Sequence, residues 1–170
     1  MNAYTFLTLP TPVGPFSVAL DATRAIAATA FGQPPALALR LPLHAELVPA
    51  RSEPANLRRE VAEYFAGERR AFTVPLAARG TAFQRQVWAG LARLPFGATC
   101  SYAELAAAIG RPGAARAVGR ANATNPLCLL VPCHRVVGAD GSLTGFAFGT
   151  ALKRRLLEHE RAVGARATAA

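Results

Sequence analysis

Cys133, His134 and Arg135 place a thiol, an imidazole and a guanidinium next to one another. They lie inside an apolar run, with Leu129, Leu130 and Val131 before them and Val136 and Val137 after. Such runs, rich in β-branched residues, read as buried strand or core. Buried polar groups need partners, so three of them in one core segment is uncommon. A cysteine alone packs there as a small hydrophobe. Beside His134 and Arg135 it can ionise, and the thiolate is the reactive form of cysteine. A thiolate is a soft, strong nucleophile once a base has removed the thiol proton. His134 is the candidate base. On an extended strand, neighbouring side chains point to opposite faces, so contact between Cys133 and His134 requires a bend or a bridging water.

The elements around this stretch follow from pattern. Residues 4–9 and Phe16–Leu20 alternate like strands about the Pro/Gly-rich turn Pro10–Pro15, and Ala25–Phe31 supports a third strand. Gln33–Pro49 is punctuated by proline and ambiguous. From Asn56, the apolar residues Leu57, Val61 and Phe65 recur at helical spacing, and the helix ends near Gly67. Ala71–Leu76 is compatible with one more strand. Arg79-Gly80 marks the boundary between a domain over 1–79 and a domain over 80–170. Beyond it, Thr81 with Gln84 and Ser101 with Glu104 have capping-box form. The first opens a helix with Phe83, Val87, Leu91 and Leu94 on one face, stopped by Pro95 and Gly97. The second opens a helix through Leu105 and Ile109, closed by Gly110 and Pro112. Ala114–Ala123 follows, and two short helices joined by a Gly-containing turn have helix-turn-helix form. Asn125-Pro126 then leads into the Cys133 strand. Thr150 caps a last helix, with Leu152, Leu156 and Leu157 inward, and the tail after Gly164 is expected to fray.

The helix over 114–123 is nearly bare of side chains. Its arginines, Arg116 and Arg120, share one face. Reading base edges takes several long polar side chains, and beyond the arginines this helix offers only Asn122. Two readings remain open on this segment: a small-residue face that approaches a surface closely, or an Ala-rich core helix with solvated arginines. The loop Thr144-Gly145-Phe146-Ala147-Phe148-Gly149 is similarly open, either packing over a flat ligand or contributing two core phenylalanines.

Composition limits the alternatives. The chain has 170 residues, 52% of them hydrophobic, enough for a sizeable core and against global disorder. Its net charge is +9, from 19 basic and 10 acidic residues. Residues 1–79 carry a balance of +2 and residues 80–170 a balance of +7, which makes the C-terminal half the candidate for a polyanion. Only Lys153 is a lysine. The cysteines, Cys100, Cys128 and Cys133, fit no disulfide framework, and Cys100 reads as packing. No signal peptide or membrane span is evident, so a reduced, cytoplasmic protein is expected. His44 and His159 have no partner at zinc spacing, and no metal is expected.

Pro132-Cys133-His134-Arg135-Val136 resembles the active-site signature of the O6-alkylguanine-DNA alkyltransferases. Arg116-Ala117-Val118-Gly119 and Asn125-Pro126 stand at the family's spacing. The resemblance runs from about Thr81 to Glu160, and more loosely through Thr11-Pro12-Val13-Gly14-Pro15 in the N-terminal half. It implies a ribonuclease-H-like α/β N-terminal domain without that activity, followed by a mainly α, helix-turn-helix (winged-helix-like) domain. It implies that Cys133 accepts the alkyl group of O6-alkylguanine, and of O4-alkylthymine, in a single irreversible turnover. His134 acts through a water, Glu160 orients His134, Asn125 orders the active-site turn, and Tyr102 donates to the purine and helps rotate its phosphate. Arg116 fills the gap left by an extruded nucleotide, while Arg120, Ala115, Asn122 and Arg135 join Arg116 and Tyr102 at the DNA. Val131, Pro132, Thr144, Gly145, Phe146 and Phe148 line the substrate pocket. Phe146 departs from the family's usual tyrosine and so lacks its hydroxyl.

The partner implied is double-stranded DNA with alkylated bases, bound in the minor groove by a monomer with base flipping, away from any membrane. No cofactor is implied. Some family members carry a zinc in the N-terminal domain, but this chain has no cysteine there. Three other readings compete. Alkyltransferase-like binding modules replace the cysteine that is present here. A winged-helix regulator is disfavoured by the bare third helix. A cysteine hydrolase lacks its distant His/Asn pattern.

Overall fold

The computed structural model describes residues 3–169 and divides into two compact units. One contains the chain up to Arg79 together with Pro126–Leu130; the other contains Gly80–Asn125 and Val131 onward. No helix among the described residues is long and apolar enough to cross a membrane.

In the first unit, β1 (Ala3–Leu9), β2 (Phe16–Leu20), β3 (Ile26–Phe31) and β4 (Glu46–Pro49) form one sheet in the order β3-β2-β1-β4. The β1–β2 and β2–β3 pairs are antiparallel, and β4 runs parallel to β1. The β1–β2 turn closes through reciprocal backbone bonds between Thr11 and Gly14, and Gly14 takes φ +111°, a conformation that suits glycine. Every residue of β2 and β3 is buried, so these strands read as continuous apolar runs. Thr29 is the polar member of β3. Its N–H donates to the Pro126 carbonyl at 2.7 Å and its hydroxyl to the Cys128 carbonyl at 2.8 Å. These bonds draw Pro126–Leu130 to the first unit.

The ambiguous stretch before β4 contains a single 3-10 turn, Pro34–Leu37, with Leu37 buried. Helix α1 (Leu57–Ala66) buries Leu57, Val61 and Tyr64, and stops at Gly67, which takes φ +82°. Glu60 is buried on the same face. Its carboxylate accepts the Thr73 N–H at 2.8 Å and the Thr73 hydroxyl. The Thr73 donor is therefore committed to a side chain, and the strand expected over 71–76 reduces to one bridge between Ile26 and Leu76.

The second unit contains α2 (Ala82–Ala92), α3 (Tyr102–Ala108), α4 (Ala115–Ala123) and α5 (Thr150–Ala169), with the short parallel pair β5 (Cys100–Ser101) and β6 (Val136–Val137). Both capping boxes form: Thr81 with Gln84 opens α2, and Ser101 with Glu104 opens α3. Helix α2 buries Val87, Trp88 and Leu91; Trp88, absent from the expected apolar face, donates its indole N–H to the Ala121 carbonyl of α4 at 2.8 Å. Gly90 is required by close packing, because a Cβ there would stand 2.6 Å from Ile109 Cγ2. Helix α5 begins at Thr150 itself and continues to Ala169 rather than fraying after Gly164. A lone glycine in a helix costs only about 1 kcal/mol, too little to end one that also buries Val163.

Residues 133–135 form a single 3-10 turn rather than a strand, and only Val136 and Val137 continue into β6. Two asparagine side chains account for the difference. Asn125 Nδ2 donates to the Val131 carbonyl at 2.9 Å, and Asn122 Nδ2 to the Cys133 carbonyl at 3.4 Å. Acceptors that a sheet would use are thereby held by α4 and its end.

Candidate active site

The 3-10 turn decides how the three chemical groups are presented. At three residues per turn, adjacent side chains diverge by about 120°, not the 180° of a strand. Cys133, His134 and Arg135 are all buried, at 5%, 0% and 5% exposure, so none of them sits in bulk water.

His134 Nε2 lies 2.7 Å from Glu160 Oε1 on α5. Arg135 donates to both oxygens of the same carboxylate, Nε to Oε2 at 2.9 Å and Nη2 to Oε1 at 3.0 Å. The Gly97 N–H donates to Oε2 at 2.9 Å, from a backbone held at φ +79°. Arg135 is fixed further by its bond to the Leu94 carbonyl at 2.6 Å and by the Phe96 ring, 5.6 Å from its guanidinium carbon. Burial pushes the Glu160 carboxyl up, but the hydrogen bonds from His134 and Arg135, with the Arg135 charge, outweigh it and hold it well below its ordinary value. Burial pushes the His134 imidazole down, and the Glu160 bond only partly restores it. The resting site is thus an anionic Glu160 beside a neutral His134 whose Nε2 carries the proton. Its Nδ1 is left as an acceptor, buried and without a partner among the described residues.

Lys153, which the sequence reading did not single out, is fully buried on α5. Its Nζ donates to the Thr144 carbonyl at 3.0 Å, and its charge and that of Cys133 favour one another. Burial pushes the Lys153 ammonium down. The signal available was its status as the chain's one lysine, three residues into an amphipathic helix on the face opposite to solvated Arg154 and Arg155. Tyr102 also donates to the Thr144 carbonyl, at 3.2 Å. Two side chains from α3 and α5 therefore latch the 144–149 loop. Within that loop Thr144 and Gly145 are exposed, while Phe146 and Phe148 are half-buried and meet edge to face at 5.6 Å. Val131 and Pro132 are buried immediately before the thiol.

On α4, Arg116 and Arg120 are exposed and Ala115 is half-buried. Gly119 lies under Tyr102, since a Cβ on it would stand 3.6 Å from the Tyr102 ring. Two residues expected at the DNA turn inward in this structure. Asn122 faces inward at 4% exposure, and Arg135 is consumed by Glu160 and the Leu94 carbonyl. Both are committed to holding the active-site turn, which a residue's type and position in sequence do not reveal.

Residues 82–162 match the family described as 6-O-methylguanine DNA methyltransferase, DNA binding domain, and residues 3–78 match its ribonuclease-like domain. The chain is 51% identical over 108 residues to a constitutive methylated-DNA–protein-cysteine methyltransferase of Bacillus subtilis, a stretch that covers 63% of this chain and 66% of that protein. It is 57% identical over 98 residues to a methylated-DNA–protein-cysteine methyltransferase of Mycobacterium bovis, covering 58% of this chain and 59% of that one. The chain thus spans about two thirds or less of these relatives' length. Among solved structures, Mycobacterium tuberculosis OGT in complex with DNA superposes with a TM-score of 0.80 at 40% identity, over 95% of this chain and 94% of that one. The Mycobacterium tuberculosis O6-methylguanine methyltransferase gives 0.78 at 40% identity, again over 95% and 94%. Agreement along nearly the whole chain, in both units and at this identity, establishes that the chain belongs to the O6-methylguanine DNA methyltransferase family.

Proposed function

We propose that this chain repairs O6-alkylguanine in DNA by moving the alkyl group irreversibly onto Cys133. The observation that carries the reading is the buried chain of contacts from the Cys133 turn through His134 to a Glu160 held anionic by Arg135. Neutral His134, with its proton on Nε2 toward Glu160, is a base at Nδ1. Through one water it takes the Cys133 proton, and Glu160 stabilises the imidazolium that forms. The thiolate attacks the alkyl carbon; a carbon–sulfur bond forms as the carbon–oxygen bond breaks, and the electron pair leaves on the purine O6. Tyr102, adjacent to the loop that would cover the base, supplies a proton donor to the departing purine. Lys153 lends positive charge near the thiolate.

The thioether does not exchange with thiols, and nothing in the chain reverses it, so each molecule acts once. A thiol buried at 5% exposure cannot reach a stacked base, so the nucleotide leaves the helix to enter the site. The small-residue face of α4, with Arg116 and Arg120, enters the minor groove of the duplex, where Arg116 takes the vacated space. The protein works as a monomer, and O4-alkylthymine is a second substrate. The test is incubation with a duplex oligonucleotide containing one O6-methylguanine, followed by intact-mass analysis. A gain of one methyl group on the Cys133 peptide is expected. Tight binding of the lesion with no mass change would instead mark a binding module.

A further inference from the structure

Two buried acceptor atoms of the residues that build the Cys133 turn have no hydrogen-bond partner among the described residues, Oδ1 of Asn122 and Nδ1 of His134. They belong to adjoining parts of one turn: the Asn122 amide nitrogen donates to the Cys133 carbonyl at 3.4 Å, and His134 is the next residue. That bond orients the amide. With a carbonyl facing its nitrogen, the Asn122 oxygen is the end left over. Asn122 is 4% exposed and His134 0%, so bulk solvent satisfies neither atom. Unpaired buried acceptors are unfavourable, and buried water is what ordinarily satisfies such atoms.

We propose that Asn122 is a positioning residue of the alkyl-transfer site, whose Oδ1 accepts one proton of the water that links Cys133 to His134. The inference rests on the function proposed above. In the resting site the water accepts the Cys133 S–H, and donates one proton to His134 Nδ1 and the other to Asn122 Oδ1. The thiol proton passes to the water as the water's own proton passes to Nδ1. One S–H bond breaks, one N–H bond forms, and the water is regenerated. It then accepts from Nδ1–H and donates to the thiolate and, as before, to Asn122. The bond to Asn122 is the same on both sides of the step, so it fixes the one orientation that both states use. The charged groups facing the pair are Glu160 and Lys153 from α5 and Arg135 from the turn itself. Asn122 adds no charge, so its effect is one of orientation.

Asn122→Leu replaces the amide by an apolar group of similar size. Thiolate formation is read without DNA, from the rate at which iodoacetamide alkylates the Cys133 peptide across a pH series. The midpoint of that profile is expected to rise by about one pH unit, giving about a tenfold slower reaction at neutral pH. The high-pH plateau, where solvent removes the proton, is expected to stay within about twofold of wild type. A lowered plateau with an unmoved midpoint means that Asn122 only packs the turn, and overturns the proposal; an unchanged profile does the same. Should Asn122→Leu fail to fold, Asn122→Val is read by the same two criteria. Methyl transfer from an O6-methylguanine duplex to the wild type, measured in parallel, separates the failures. No transfer by the wild type refutes the function, whereas normal transfer with an unmoved variant midpoint refutes only the role of Asn122.

Discussion

Arg135 holds Glu160 by both carboxylate oxygens, and His134 shares one of them, so the neighbours of the thiol on the turn converge on a single anion. Bidentate guanidinium–carboxylate pairs add geometric specificity to charge, and a lysine cannot reproduce the fork. Arg135→Lys is therefore expected to slow alkyl transfer at least about tenfold, within the range typical of groups that support acid–base steps. Because Arg135 is buried, its replacement should leave affinity for an undamaged duplex within about twofold of wild type. Single-turnover rates and duplex titrations at one salt concentration check both halves. A large loss of affinity with normal transfer would return Arg135 to the DNA face.

Two of the three cysteines are buried beside polar groups, and only one should accept the alkyl group. Cys128 is engaged with Thr29, whose hydroxyl points to its sulfur at 3.3 Å, within the first unit. Cys133→Ser is expected to abolish transfer and to leave DNA binding intact. Cys128→Ser should transfer at close to the wild-type rate while losing some stability, since a buried sulfur is replaced by a smaller polar group. Peptide mass mapping after reaction with a methylated duplex decides the assignment. Methyl on the Cys128 peptide would overturn it.

The depressed titrations of His134 and Glu160 fix the sign of the pH dependence. Each group prefers its deprotonated form more strongly in the folded protein than in the unfolded chain. Such a group contributes stability above its ordinary value and loses that contribution as pH falls toward its folded value. Stability is expected to drop in two stages on acidification: first below 6.5, the ordinary imidazole value, and again from 4.5, the ordinary carboxyl value, toward about 2. Urea denaturation across this range checks the prediction. Glu160→Gln should shrink the lower stage, which the carboxylates of Asp21, Glu53, Glu63, Glu104 and Asp140 share, and an unchanged slope would assign that stage to them alone.

Much of this arrangement was legible from local chemistry. The capping boxes at Thr81 and Ser101 form because each needs only residues three apart, and the amphipathic helix from Leu57 was visible for the same reason. The turn at Cys133 was not, because its conformation is set by Asn122 and Asn125, which bind backbone carbonyls 6 to 11 residues away. Apolar β-branched neighbours read as strand when those side-chain bonds are unknown. The buried partners of Arg135 and Lys153 were not legible for a related reason: charge in a sequence suggests solvent, and only the fold supplies the groups that retain it. Glu60 illustrates the same effect outside the site, converting an expected strand at 71–76 into a loop tied to a carboxylate.

The exposed arginines of α4 separate extrusion of a nucleotide from simple attraction to DNA. Arg116 and Arg120 lie four residues apart on one helix face and carry the same charge. If both only neutralise phosphate, removal of either weakens binding equally and lowers the salt slope by about one. If Arg116 instead occupies the place of the flipped nucleotide, its loss acts mainly on repair within a duplex. The defect then shrinks when the damaged base is mispaired, because unpairing is easier. It nearly vanishes with free O6-benzylguanine, which requires no extrusion. Arg116→Ala is therefore expected to show a large defect on duplex substrate and a small one on the free base. Arg120→Ala is expected to show a loss of binding alone. Single-turnover rates on matched duplex, mismatched duplex and free base, measured for both variants, check this ordering. Equal losses for Arg116→Ala on duplex and free base would mean that Arg116 supports the pocket or the fold rather than the flip.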